Sequence, residues 1–235
     1  LIEMGFHFYP NKDQKLLSIS AYGCNMNCPY CINRHISQGR IHTEHLEPEE
    51  LVERLKNLHR SRGVNGVCYT FNEPLIWFEH VRDYSKVVRE AGFQNALETN
   101  GMINPEAFKT LLETMDMVNI DYKGFSEEFY REYLQGDYQS VLDNIAILAK
   151  SGVYYEVTCL IVANVNDNDA EFDKGMQALQ QVAPEAPINL LAVVPRNKEE
   201  LEMVPSIEKM NDLLEIAKKY FAQVQIVDRE KAPQW

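Results

Sequence analysis

Short apolar runs alternate with longer stretches in which apolar residues recur every three or four positions. The runs at 16–22, 66–71, 95–99, 117–121, 153–162 and 188–194 read as strands, with a short further run at 224–227. The run at 153–162 is the strongest, rich in β-branched and aromatic residues. Between them, 48–62 reads as a helix. Pro48 suits a first helical position, Glu49 and Glu50 complement the positive helix end, and Leu51, Leu55 and Leu58 form a stripe. Helical patterns recur at 76–90 (closed by Gly92), from Asn104-Pro105 onward, at 126–133 and at 138–150. Asn168 and Glu171 read as a capping pair for a helix to about 182, and 206–221 carries Ile207, Met210, Leu213, Leu214 and Ala217 on one side. Strand–helix alternation of this kind predicts an α/β fold, a parallel sheet curled into a full or partial TIM-like barrel.

No repeat, low-complexity tract or Pro/Gly-rich linker interrupts the pattern, so residues 1–235 are read as one domain. The chain starts at Leu1 instead of Met, which suggests trimmed N-terminal sequence. No apolar run reaches the eighteen or so residues of a membrane span, and no signal peptide opens the chain. A net charge of −12 argues against a nucleic-acid footprint, which needs clustered Lys and Arg. Five cysteines outside a secretory context point to a reducing, cytoplasmic setting and to metal chemistry.

Three of those cysteines fall in Cys24-Asn25-Met26-Asn27-Cys28-Pro29-Tyr30-Cys31, directly after the first strand. A structural zinc site wants four ligands, and so does a four-iron cluster held by protein alone. Three thiolates therefore leave either a distant fourth ligand to be found or one iron open to a non-protein group. Other polar, turn-forming residues follow each later strand: Asn72-Glu73-Pro74, Thr99-Asn100-Gly101, Asp121-Tyr122-Lys123, residues 164–167, and Pro195-Arg196. In a parallel barrel those ends converge on the face where active sites sit, which makes the chain an enzyme candidate.

The CxxxCxxC spacing with Tyr30 before the third cysteine resembles the radical S-adenosylmethionine (SAM) superfamily. The nearer resemblance is to pyruvate formate-lyase-activating-enzyme-like proteins and, within them, to radical SAM proteins of the AmmeMemoRadiSam system. It runs through Phe6-His7-Phe8-Tyr9-Pro10, the cysteine loop, Ile36-Ser37-Gln38 and Tyr69-Thr70-Phe71-Asn72-Glu73-Pro74, weakening after about Asp167.

This resemblance implies a partial (β/α)6 barrel and a [4Fe–4S] cluster held by Cys24, Cys28 and Cys31. SAM would chelate the open iron and be cleaved reductively to a 5′-deoxyadenosyl radical that abstracts hydrogen. Asn72-Glu73-Pro74 stands where the family has a Gly-Gly-Glu-Pro motif for the methionine amino group. Glu98-Thr99-Asn100-Gly101 is similar to the family's Asp-Thr-Asn-Gly, which contacts SAM. With Asp121 that segment implies a monovalent-cation site, altered here by the longer Glu98. Lys123, in a segment similar to Asp-Leu-Lys, would reach the methionine carboxylate. Asn164 and Asn166 are candidates along the adenine, and Arg196 for the ribose.

The implied substrate is a glycyl-radical enzyme or another protein or peptide. The alternatives are a small molecule of cofactor or natural-product biosynthesis, and a non-catalytic Fe–S or zinc module. A flavodoxin- or ferredoxin-like protein would supply electrons, with Arg34, His35 and Arg40 near the loop. Cys68 and Cys159 lie within strands and read as small buried hydrophobes. His42 and His45 read as exposed loop residues without partners. No nucleic-acid or membrane partner is expected.

Overall fold

The structure, a computed structural model, describes residues 2–3, 6–8 and 14–227. Tyr9 and Pro10 of the resemblance lie outside the described residues. In chain order the strands are β1 (Ile2–Glu3), β2 (Lys15–Ile19), β3 (Val64–Tyr69), β4 (Gln94–Thr99), β5 (Met117–Tyr122), β6 (Tyr154–Ile161), β7 (Ile188–Ala192) and β8 (Val224–Ile226). The helices are α1 (Arg34–Ser37), α2 (Pro48–Arg62), α3 (Phe78–Glu90), α4 (Pro105–Leu112), α5 (Tyr138–Ala149), α6 (Asp169–Val182) and α7 (Ile207–Ala217). All strands form one sheet in sequence order. β2 to β8 are parallel, and β1 is antiparallel at the edge. This is the expected partial barrel: six strand–helix units and a last strand, with β1 and β8 outermost among the described residues.

Local chemistry explains the helix starts. Glu47 and Glu50 bond each other's backbone reciprocally ahead of α2, and Gly63 ends it at φ 70°. Asn104 accepts from the Glu106 amide 2.9 Å away, and Ser206 from that of Lys209 at 3.1 Å. Asn168 caps α6, but Glu171 does not complete the expected pair. Its carboxylate accepts from Ser126 Oγ at 2.7 Å, tying α6 to the segment after β5.

Strand alternation splits the core. One face of the sheet packs on the helices through Val67, Leu97, Val118, Ile120, Val157 and Leu190, among others. On the concave face Leu16, Cys68, Ala96 and Met117 meet Phe6 and Tyr154, so side chains from β2 to β6 pack around one N-terminal aromatic ring. Cys68 and Cys159 are both buried, as expected.

Four departures have local causes. The first strand stops at Ile19 instead of 22, because Ala21 N–H and Ser20 Oγ donate to Asn72 Oδ1 (3.1 Å each) and leave the ladder. The helical run at 126–133 is a π-turn over Phe129–Leu134. Ile207 is 83% exposed because it sits in the first turn of α7, while Met210, Leu213 and Ala217 are buried. His45 is exposed but partnered, with Nε2 2.9 Å from Glu47 Oε1.

Candidate active site

The strand ends open on a cavity of about 230 Å³ at the C-terminal face of the sheet. Cys24, Cys28 and Cys31 line it together with Tyr30, Asn72, Glu73, Glu98, Thr99, Asn100, Asp121 and Lys123. Eleven of the fourteen sequence-predicted site residues thus meet at one place.

The cysteine loop is held from several sides. Gly23, at φ 96°, turns the chain out of the sheet, and a Cβ there would come within 2.7 Å of Ile76 Cδ1. Its N–H donates to Ile36 O at 2.8 Å and its carbonyl accepts from Glu73 N at 3.2 Å. Asn27 N–H reaches Leu134 O at 2.8 Å. Asn72 straps two strand ends together: its Oδ1 takes Ala21 N–H and its Nδ2 donates to Gly23 O at 3.1 Å.

All three thiols are half-buried. Burial pushes the Cys24 thiol up to about 11, against the Met26 amide 3.4 Å from its sulfur, and it also raises Cys28. Thiols in such a setting ionise readily only with a cationic partner, and a metal supplies one. Among the described residues no three His, Cys, Asp or Glu side chains converge closely enough for a single ion. Three thiols on one loop match the donor set of a polynuclear iron centre, in which each thiolate would take a different iron.

Glu73 is 2% exposed and heavily bonded. Oε1 accepts from Thr99 Oγ1 (2.6 Å) and Leu75 N (2.9 Å), and Oε2 from Asn100 N (2.8 Å). Burial nevertheless raises its carboxyl to about 7, those bonds pulling the other way. Asn100 also donates to Asn25 Oδ1 at 2.8 Å, coupling the β4 end to the cysteine loop. Lys123 Nζ lies 2.8 Å from Asp121 Oδ2 with its side chain 17% exposed. Burial works against its charge, but Asp121 and Cys28 outweigh that and hold it well above the ordinary lysine range. Asp121 is steadied in turn by Asn119 Nδ2 at 3.1 Å, and Glu98 accepts from Thr70 Oγ1. Tyr30 is buried, with its hydroxyl on Lys123 O at 3.3 Å and its ring against Tyr133.

Three predicted residues stand outside the cavity lining. Asn166 is fully engaged: Oδ1 accepts from Val162 N at 2.7 Å, and Nδ2 donates to Lys123 O and Leu160 O. Asn164 is exposed in a left-handed turn (φ 60°). Arg196 pairs with Glu200 and donates to the carbonyls of Pro29 (3.1 Å) and Cys31 (3.3 Å), bracing the cysteine loop from behind. The side chains of Asn166 and Arg196 are thus committed to backbone and neighbours before any ligand arrives.

The cavity also holds residues that motif reading missed: His7, Ser37, Asn119 and Thr158. Asn119 and Thr158 were findable, being polar inward positions in otherwise apolar strands. His7 and Ser37 stand in segments that carry the resemblance, but nothing local gave either a role, since only the tertiary path of their segments brings them here.

A profile of the Radical SAM superfamily matches residues 18–179. An uncharacterized protein of Methanocaldococcus jannaschii is 37% identical over 166 residues. That match takes in 69% of this chain and 47% of that protein, so the chain spans about half of this relative's length. A putative glycyl-radical enzyme activating enzyme of the same organism is 26% identical over 244 residues, covering 96% of this chain and 93% of that one. Among solved structures, a domain of a pyruvate-formate lyase-activating enzyme from Bacteroides vulgatus superposes with a TM-score of 0.60 at 22% identity. The superposition covers 70% of this chain and 99% of that domain, and it speaks for the fold alone.

Proposed function

This chain belongs to the Radical SAM superfamily, and on that premise we propose that it generates a radical from SAM and abstracts hydrogen from a peptide segment of a glycyl-radical enzyme or another protein. The observation that carries this reading is the meeting, in one cavity, of three half-buried thiols, the Glu73 carboxylate and the Lys123–Asp121 pair. When bound, a [4Fe–4S] cluster supplies one electron for the reductive cleavage of SAM to methionine and a 5′-deoxyadenosyl radical. Cys24, Cys28 and Cys31 would hold the cluster, and the three-thiol set leaves one metal position for a ligand from outside the chain.

The remaining residues bind and orient. Glu73 offers an acceptor to an ammonium group, and Lys123 offers a cation to a carboxylate in a site largely shielded from water. Tyr30 and Asn166 both bond the Lys123 carbonyl and so fix where that cation emerges. Asn166 and Arg196 act in this reading as braces for the strand ends and the cysteine loop. A monovalent cation at Glu98 and Asp121 would compete with Lys123, whose ammonium pairs with Asp121. The exposed Arg34, His35 and Arg40 beside the loop suit an acidic flavodoxin- or ferredoxin-like donor.

The peptide substrate is supported by the relative that matches nearly end to end, the putative activating enzyme. A small-molecule substrate is the second reading, favoured by the polar side chains of His7, Asn119 and Thr158 in the cavity lining. Anaerobic reconstitution with iron and sulfide, followed by SAM and dithionite, should yield 5′-deoxyadenosine; an intact cluster with no product would retire the enzyme reading. Cys28→Ala should lose both cluster and product. Lys123→Ala should weaken SAM binding by about 30-fold (~2 kcal/mol) by calorimetry, with the cluster retained. An organic radical appearing by electron paramagnetic resonance on an added glycyl-radical enzyme would support the peptide reading. Its absence alongside robust SAM cleavage would favour the small molecule.

A further inference from the structure

We propose that Ser37 sets the reduction potential of the cluster by donating a hydrogen bond to the sulfur of Cys31. The proposal rests on the cluster reading above. Ser37 is 6% exposed, lines the cavity, and places Oγ 3.3 Å from Cys31 Sγ. Between a thiol and a hydroxyl either atom can be the donor. A metal-bound cysteine is a thiolate without a proton, so there the hydroxyl has to donate and the sulfur has to accept. Reduction adds one negative charge to a cluster and its thiolates. A donor aimed at a ligand sulfur therefore stabilises the reduced form more than the oxidised one, and raises the potential.

The hydroxyl is fixed in place by its surroundings. It sits at the last position of α1, whose Ser37 N–H bonds Asn33 O at 2.9 Å, while Asn33 Nδ2 bonds Phe71 O at 2.9 Å. Ile36 O, one residue earlier, accepts from Gly23 N at the other end of the cysteine loop. The donor and the loop it addresses are thus one unit, and little reorganisation accompanies a change of charge. Cys24 is served differently, by the Met26 amide at 3.4 Å and by Asn100 Nδ2 at 3.8 Å. The Asn100 side chain also holds Asn25 Oδ1 and the Met102 amide at 2.8 Å each, and the Met26 donor is backbone. Ser37 is the donor whose side chain can be altered without disturbing either.

Ser37→Ala keeps every backbone bond of α1 and introduces a residue that favours helix, so the variant should fold and take up the wild-type complement of iron and sulfide. Its midpoint potential, from a titration monitored by electron paramagnetic resonance, should be more negative. At a fixed solution potential the reduced-to-oxidised ratio should fall about tenfold, which is 59 mV for one electron. Ser37→Thr, which keeps the hydroxyl, should return the wild-type value. Gln38→Ala is the control for loop bracing, since it removes the 2.9 Å bond from Gln38 Nε2 to Met26 O without touching a sulfur; its potential should match the wild type. The proposal is overturned by an unchanged potential in Ser37→Ala, by an equal shift in Gln38→Ala, by a Thr variant as low as the Ala variant, or by loss of the cluster in Ser37→Ala. A wild-type protein that takes up no iron would instead remove the cluster reading itself.

Discussion

Glu73 shows how one buried carboxyl links stability to the site. Its folded value of about 7 lies above the 4.5 of an unburied glutamate, burial being the main cause. A raised acid stabilises the fold most fully below the unfolded value, and that contribution fades as pH climbs through the folded one. Between about pH 4.5 and 7 the metal-free protein should therefore lose on the order of 3 kcal/mol from this group. Urea denaturation from pH 5 to 8 should show wild type falling more steeply than Glu73→Gln, which cannot ionise. Gln will be less stable at the acidic end, since its amide nitrogen faces the Asn100 N–H. Parallel pH profiles would contradict the assignment. Glu73 was legible in sequence as a candidate because it stands at a strand end in a segment resembling the family's Gly-Gly-Glu-Pro motif. Its three donors and its depth were not, because Thr99 and Asn100 come from the neighbouring strand.

At the scale of elements, the six strand–helix repeats were readable because period 2 and period 3.6 patterns alternate cleanly and because caps such as Asn104, Asn168 and Ser206 announce the helices. The N-terminal segment was not readable in this way. Phe6 packs among Leu16, Cys68, Ala96 and Met117. The next two residues are held by Glu156, a fully buried carboxylate on β6. It accepts from His7 N and Phe8 N at 2.8 Å each, from Tyr154 Oη at 2.7 Å and from Asn189 Nδ2 at 2.6 Å. No local pattern predicts a clamp between residues so far apart in sequence. Glu156→Gln replaces one acceptor oxygen with a donor and leaves at least one N–H unmet, at about 1–3 kcal/mol. Hydrogen exchange should accelerate at His7 and Phe8 while the amides of β5 and β6 stay protected. Equal protection in both proteins would mean that Phe6 packing alone holds the segment.

For the whole molecule, the question is whether the metal builds the fold or only finishes one end of it. In small zinc domains the metal is the core, and chelation unfolds them. Here the large hydrophobic cluster lies between the sheet and its helices, formed by residues such as Leu51, Val81, Phe108, Ile145, Leu179 and Leu213. The cysteines sit beyond the C-terminal strand ends, fastened by a few hydrogen bonds such as Gly23 to Ile36 and Asn27 to Leu134. Metal loading should thus raise the unfolding midpoint by mass action, but the metal-free chain should remain folded. After chelation under anaerobic conditions, far-ultraviolet circular dichroism should change little and thermal unfolding should stay cooperative. Hydrogen exchange should quicken chiefly between residues 23 and 40, where the loop would lose the ions proposed to neutralise its three thiolates. Global unfolding on chelation would show that the barrel depends on its cluster for more than chemistry.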